Sequence, residues 1–426
     1  MIPNMSNYDT NDIIRHHSYR RKSSVMLLEK YLLIYIKSIS EIIKEILNSK
    51  LNGNIMRCEN ILESKKIHHN IVNPCYGDPG WRSVTHGGFL GDEALLKSNS
   101  FYFTEDNKGF HRAGPRAHIA IDPKDVRVMI VTCGGLCPGL NVVIRELVMS
   151  LWYNYGVNKI HGIKWGYGGI YDEKCWIELN PDIVKSIHTQ GGTILGTSRG
   201  GFDGEKIADA LEKNGINMMF CIGGDGTHRG IMALSEVLKK RNTSVILAGI
   251  PKTIDNDIPL IDRSFGFESS IEVAVQAIRA ADVEANCVPN GIGLVKLFGR
   301  SCGFIALQST LAARDVNICL IPESSFQLYG EYGLLEFLMK RLEIKKHCVI
   351  VVAEGASSAV MDKQIIDTGK TDKSGNPVLP DIGIFLKDEI KKYSESKNVE
   401  VNLKYIDPTY IIRTCPANSF DANYCT

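Results

Sequence analysis

From Val126 onward the chain repeats one unit: a short apolar run that stops at a glycine- or polar-rich turn and gives way to a helical stretch. Apolar runs at 126–131, 160–163, 218–222 and 245–250 alternate with helix-like stretches at 140–152, 181–188 and 206–213. A second series follows near Gly291, with runs at 293–297, 318–321 and 349–352 and helices at 304–312 and 334–340. Strands spaced in this way and alternating with helices predict right-handed βαβ units and mostly parallel sheets. A length of 426 residues accommodates about two such domains.

Two of the apolar runs end in blocks that carry chemistry. Gly223-Gly224-Asp225-Gly226-Thr227 follows the run at 218–222, and Pro251-Lys252-Thr253-Ile254-Asp255-Asn256-Asp257 follows the run at 245–250. Open α/β sheets place ligands at such strand ends. The first block is a glycine-rich turn that lets backbone N–H groups approach phosphates, with one carboxylate suited to Mg²⁺. The second places two carboxylates, a lysine and a hydroxyl within one short loop. Either block alone could be a turn without a ligand, Gly-Asp-Gly in one case and an Asx-rich turn in the other. Together they ask for a phosphorylated donor, a metal and an alcohol acceptor.

Composition excludes several classes. A formal net charge of +1 offers no field for nucleic acid or an anionic membrane. In the stretch 24–47, Val25, Leu28, Leu32, Tyr35, Ile39, Ile42 and Ile46 recur at helical spacing, as in an amphipathic helix used for packing or oligomer contact. Glu29, Lys30 and Lys37 interrupt it, well short of the about 20 apolar residues that a membrane span needs; they also disqualify it as a signal peptide. Twelve cysteines without a regular framework, several in strand-like runs (Cys221, Cys319, Cys348), indicate reduced thiols in a cytoplasmic protein. Cys133 and Cys137 lack the second ligand pair that a zinc site requires. Residues 1–20 read as a disordered polar lead, 48–110 as loop-rich, and 357–378 as an exposed loop.

The same blocks carry a resemblance. They stand in one order with Arg112-Ala-Gly-Pro-Arg116, Thr132-Cys-Gly-Gly-Leu-Cys-Pro-Gly-Leu-Asn141, Gly191-Gly-Thr-Ile-Leu-Gly-Thr-Ser-Arg199, Phe298-Gly-Arg300, Ile321-Pro-Glu-Ser324, Ala353-Glu-Gly355 and Tyr405-Ile-Asp-Pro-Thr-Tyr410. On these motifs the chain resembles the ATP-dependent 6-phosphofructokinases of plant and trypanosomatid type. The resemblance implies an α/β fold of two Rossmann-like parallel-sheet domains with an active-site cleft between them, preceded by a partly helical N-terminal extension. It assigns 1–124 to the extension, 125–266 with 412–426 to an ATP-binding domain, and 267–411 to a fructose-6-phosphate-binding domain. Family members extend beyond the position matching Thr426, so an incomplete nucleotide-binding domain is expected.

The implied reaction is phosphorylation of fructose 6-phosphate by ATP with Mg²⁺, the committed step of glycolysis, in a homo-oligomer (dimer or tetramer). Asp255 is the expected base, acting as an ordinarily ionised carboxylate, and Arg199 the cation that stabilises the transferring phosphoryl. Gly134, Gly135, Arg199, Gly200, Gly224, Asp225, Gly226, Thr227 and Lys252 are expected to bind ATP, with Asp225 on the metal. Thr253, Ile254, Asp255, Asp257, Asn290, Phe298, Gly299, Arg300, Glu354, Lys404, Tyr410 and Arg413 are expected around the sugar phosphate, Asn290 and Lys404 reaching it from an adjoining subunit. Gly226 bears on the donor, because pyrophosphate-dependent relatives have aspartate there. Lys252 points the other way, which leaves a pyrophosphate-dependent enzyme as one alternative and a truncated non-catalytic subunit as another. Phe298, where methionine is usual, and His228, where glutamine is common, are the local departures.

Overall fold

The computed structural model describes residues 71–72, 118–258, 261–359 and 379–426. The expected amphipathic helix at 24–47, the lead-in at 1–20 and 48–110, the Arg112–Arg116 motif and all but the start of the loop at 357–378 lie outside the described residues. A two-residue antiparallel pair, β1 (Ile71–Val72) with β2 (His118–Ile119), precedes the main body.

The first sheet contains β3 (Arg127–Thr132), β4 (Lys159–Ile163), β5 (Trp176–Glu178), β6 (Met218–Gly223) and β7 (Ile246–Pro251), in the order β5-β4-β3-β6-β7. All pairings are parallel except β4 with β5. Between these strands run α1 (Leu140–Met149), α2 (Gly204–Lys213) and α3 (Asp225–Lys240). The period of two in β3 explains the layering. Val128 and Ile130 pack with Leu140 and Ile144 of α1, whereas Met129 and Val131 pack with Ile207, Leu211 and Leu234 of α2 and α3. Both faces are covered, as parallel sheets require.

The second sheet follows α4 (Phe267–Asn286) and contains β8 (Gly291–Leu297), β9 (Ile318–Leu320), β10 (His347–Ala353) and β11 (Asn402–Ile406), ordered β11-β8-β10-β9 and wholly parallel. Its helices are α5 (Phe304–Ala313), α6 (Leu334–Lys345) and α7 (Ile382–Ser396). One face meets α6 and α7 through Leu338 and Leu386, the other meets α4 and α5 through Ile278 and Ile305. The chain then forms α8 (Thr409–Thr414) and α9 (Ser419–Cys425). Buried Asp421 of α9 accepts the Ser269 amide and hydroxyl of α4, at 2.8 and 2.5 Å, which ties the end of the chain to the start of α4.

A half-buried cation fixes the approach to α8. Lys296 of β8 lies 2.8 Å from both Asp381, which caps α7, and Asp407, which precedes α8. The Tyr405 hydroxyl adds a bond to Asp381 at 3.0 Å. Burial is the largest influence and raises both carboxyls, but the hydrogen bonds and charge of Lys296, added to bonds from Ile384 and Tyr405 on Asp381 and from Thr409 on Asp407, together hold both below the ordinary range. Replacing Lys296 with methionine leaves two carboxylates facing one another. The expected cost is about 3 kcal/mol, the low end of the usual range because both carboxylates keep some solvent. Thermal denaturation should show a lowered Tm for Lys296→Met and a smaller loss for Lys296→Arg.

Among the described residues, no helix is long and apolar enough to cross a membrane.

Candidate active site

The carboxyl ends of the parallel strands of both sheets open on one cleft of about 590 Å³. In the first sheet the strand order reverses between β3 and β6, the position where open α/β sheets bind ligands. From there come Gly134 and Gly135 after β3, and Gly224, Asp225, Gly226 and Thr227 after β6. Lys252 to Asp255 and Asp257 follow β7. In the second sheet Leu297 and Ala353 are paired in register, so Phe298 and Arg300 leave β8 beside the departure of Glu354 from β10.

Local hydrogen bonding builds each part. Gly134 has φ +86°, a left-handed conformation that suits glycine. Its amide donates to the Ser198 carbonyl at 2.9 Å and its carbonyl accepts the Thr197 hydroxyl at 2.8 Å. This binds the turn carrying Arg199 to the end of β3; a Cβ on Gly135 would stand 3.7 Å from Arg199 Nη2. Lys252 comes to the same place: its amide donates to the Gly223 carbonyl, and a Cβ on Gly134 would meet its Nζ at 3.8 Å. Burial holds the Lys252 ammonium below the ordinary lysine range, with nearby cysteines opposing.

Gly224, Asp225 and Gly226 are more than a turn. Asp225 is the first residue of α3 and Gly224 its cap, so the block is a helix N-terminus facing the cleft. That end concentrates unpaired N–H groups and partial positive charge suited to anions. The Thr227 amide is already bonded to the Gly224 carbonyl at 2.9 Å. Its buried hydroxyl lies where a side chain on Gly223 would have to go. Thr227 therefore shapes the strand end, and its amide is committed within the protein. His228 Nδ1 also reaches the Gly224 carbonyl, at 3.0 Å.

The loop after β7 is cross-braced. The Thr253 hydroxyl donates to Asp257 at 2.6 Å and accepts the Asp255 amide at 3.2 Å. Asn256, at φ +57°, accepts the Ser264 amide, and Ser264 Oγ donates to the Thr253 carbonyl. Asp255 is left with a buried Oδ1 that has no partner among the described residues. Burial, then the Asp257 and Glu354 carboxylates, push its carboxyl up to about 7, against the pull of Arg300 and Lys252. The expectation of an ordinarily ionised aspartate is thereby corrected. Sequence alone gave no measure of how little water reaches this carboxyl.

On the side of the second sheet, Gly299 has φ +125° and delivers Phe298 and Arg300 to the cleft without lining it itself. Arg300 and Glu354 face each other at 4.0 Å. Arg413 of α8 enters the cleft with a buried Nε that has no partner among the described residues, and stacks on the Tyr410 ring at 4.6 Å. Tyr410 is exposed and supports Arg413 from outside the cleft. Asn290 and Lys404 do not join the site in this chain. Asn290 precedes β8 at the opposite strand end, with its amide on the Glu400 carbonyl, and Lys404 is exposed on edge strand β11. The cleft also includes residues that sequence reasoning missed: Cys133, Leu136, Tyr167, Ser198, Phe202, Arg229 and Ser301. Arg229 was findable, since it stands four residues after Asp225 on what is a helix.

Among the described residues, no three His, Cys, Asp or Glu side chains gather as a preformed metal cage. Asp225 is a single exposed carboxylate at the cleft-facing helix end. That donor set fits a hard cation completed by phosphate oxygens and waters.

A family model described as phosphofructokinase matches residues 127–426. ATP-dependent 6-phosphofructokinase 7 of Arabidopsis thaliana is 50% identical over 356 residues, covering 83% of this chain and 73% of the relative. The ATP-dependent 6-phosphofructokinase of Borreliella burgdorferi is 49% identical over 322 residues, covering 74% and 71%. Among solved structures, a pyrophosphate-dependent phosphofructokinase from Marinobacter aquaeolei superposes with a TM-score of 0.57 at 16% identity, over 70% of this chain and 73% of that one. The phosphofructokinase of Saccharomyces cerevisiae gives 0.54 at 22% identity, over 71% of this chain and 40% of that longer one. Both structural likenesses speak to the fold alone.

Proposed function

Since the chain belongs to the phosphofructokinase family, we propose that it transfers the terminal phosphoryl of ATP to the 1-hydroxyl of fructose 6-phosphate, the committed step of glycolysis. The observation that carries this is the single cleft in which the helix N-terminus at Asp225, the cations Arg199 and Lys252 and the carboxylate Asp255 meet Arg300, Glu354 and Arg413. Phosphoryl transfer needs little more than charge neutralisation and alignment. Arg199, Lys252 and the N-terminus of α3 hold the donor phosphates. Asp225 would hold Mg²⁺, which when bound neutralises charge on the phosphate oxygens. Asp255 takes the proton from the attacking hydroxyl, while Glu354 and Arg300 orient the sugar and Arg413 holds its phosphate.

ATP is favoured over pyrophosphate by Gly226, which leaves open space at the helix end, its nearest would-be neighbour being an arginine tip at 4.0 Å. The lobes are taken as 125–266 with 412–426 on the donor side and 267–411 on the sugar side. Asn290 and Lys404 would act from a second copy. The cysteines of the described residues are all free, which suits a reducing compartment such as the cytosol. A coupled assay on the purified chain with Mg²⁺ tests the reaction: ATP should support formation of fructose 1,6-bisphosphate far better than pyrophosphate. Equal or faster turnover with pyrophosphate would overturn the donor assignment.

A pH dependence follows from Asp255. A base must be deprotonated, and this carboxyl titrates near 7 in the free protein. The kcat/KM for fructose 6-phosphate should therefore rise about tenfold per pH unit below that value and level off above it. A profile flat from pH 5 to 8 would remove Asp255 as the base.

A further inference from the structure

Arg229 is a cleft residue that the reaction as described leaves unused. It lies on α3 four residues beyond Asp225, hence on the same helix face and about one turn, roughly 5.4 Å, farther along. It is exposed and lines the cleft. It holds no ion-pair partner among the described residues, whereas Arg241 and Arg263 are each paired with carboxylates. Gly226 lies between it and Asp225, and the atom nearest to where a Cβ on Gly226 would stand is Arg229 Nη2, at 4.0 Å. Just beyond, Gly230 packs beneath Phe202 and Tyr167, the two aromatic residues lining that part of the cleft. A guanidinium with no ion-pair partner among the described residues, beside open space and next to an aromatic edge, is arranged for a charged ligand group that is joined to something flat.

We propose that Arg229 binds the part of the donor that lies beyond the transferring end, contacting the phosphate next to the nucleoside, and so sets the preference for a nucleoside triphosphate over pyrophosphate. This rests on the phosphotransferase reading of the same cleft. The transferred phosphoryl has to lie among Asp225, Lys252 and Asp255. A triphosphate extends from there past side-chain-free Gly226 and reaches the guanidinium, whereas pyrophosphate has no third phosphate to offer it. Arginine suits the task because its planar donors bind phosphate in a bidentate manner. The geometry also gives Gly226 a second role. A carboxylate introduced there would face the Arg229 guanidinium and neutralise it.

The test uses the purified full chain with Arg229→Met, Arg229→Lys, Gly226→Asp and the double variant, reading KM and kcat for ATP, fructose 6-phosphate and pyrophosphate, and ADP affinity by calorimetry. Arg229→Met should raise KM for ATP and Kd for ADP at least about tenfold, with KM for fructose 6-phosphate and any pyrophosphate-supported rate unchanged. Arg229→Lys should recover part of the loss. Gly226→Asp should weaken ADP binding in the wild-type background and add little further loss once Arg229 is methionine. A KM for ATP within twofold of wild type in Arg229→Met would overturn the assignment, as would an equal rise for both substrates. If the wild-type chain turns over neither donor, the phosphotransferase reading itself fails, and the ADP titrations still decide whether Arg229 holds a nucleotide.

Discussion

Replacing Asp255 with asparagine should lower kcat by about 1,000-fold, in the middle of the range for loss of a positioned general base. KM for both substrates should change little. Asparagine keeps the shape of the side chain, and the loop holding it is fixed by other groups: Thr253 with Asp257, Asn256 with Ser264, and Cys302 Sγ on the Asp255 carbonyl. The fold should become more stable at neutral to alkaline pH. Asp255 has a folded-state pKa of about 7 against an ordinary 3.8. The folded protein thus binds a proton that the unfolded chain releases, and the stability this group contributes is complete below the ordinary value and lost as pH rises through about 7. Above that pH the carboxylate is ionised with its Oδ1 buried and without a partner among the described residues, and asparagine removes the charge. Reduced activity with a raised Tm at pH 8 is the combination expected, and steady-state kinetics with thermal denaturation on one preparation would show it. A loss of both activity and stability would mean that Asp255 is structural.

Asp225→Asn is the second large effect. Its carboxylate is the acidic group at the start of α3, exposed to the cleft beside Gly224 and Gly226. Removing its charge should weaken the hold on the metal–nucleotide complex and cost about 3–5 kcal/mol of transition-state stabilisation, a fall of roughly 100- to several-thousand-fold in kcat/KM. The helix itself should lose only a few tenths of a kcal/mol to about 1 kcal/mol, the usual contribution of an acidic residue in the first turn. The Mg²⁺ concentration needed for half-maximal rate should rise in parallel. An unchanged Mg²⁺ requirement would place the metal elsewhere.

The alternation of apolar runs and helices was legible because strand interiors such as Val128–Val131 carry nothing but apolar side chains, and their ends are marked by glycines. The parallel sheets and the arrival of the Gly223–Thr227 and Pro251–Asp257 blocks at strand ends followed from that pattern. Three features were hidden for physical reasons. The N-terminus of α3 resembled a turn because two of its first residues are Gly224 and Gly226, poor helix formers, and reading it so concealed Arg229. Strand β11 lies at a sheet edge, where Asn402 and Lys404 face solvent, so its apolar signal is diluted. The shift of Asp255 depends on Glu354 and Arg300, brought from another sheet by tertiary packing, which local patterning does not report.

In the proposed reaction the two sheets deliver donor-side and acceptor-side residues to one transferring phosphoryl. A single-turnover quench with terminally labelled ATP, excess protein, Mg²⁺ and fructose 6-phosphate tests it most directly. The label should pass from ATP to the sugar at its 1-position in the wild-type chain and stay on ATP in Asp255→Asn. Label that remains on ATP in the wild type with both ligands bound, or that leaves as free phosphate, would contradict it.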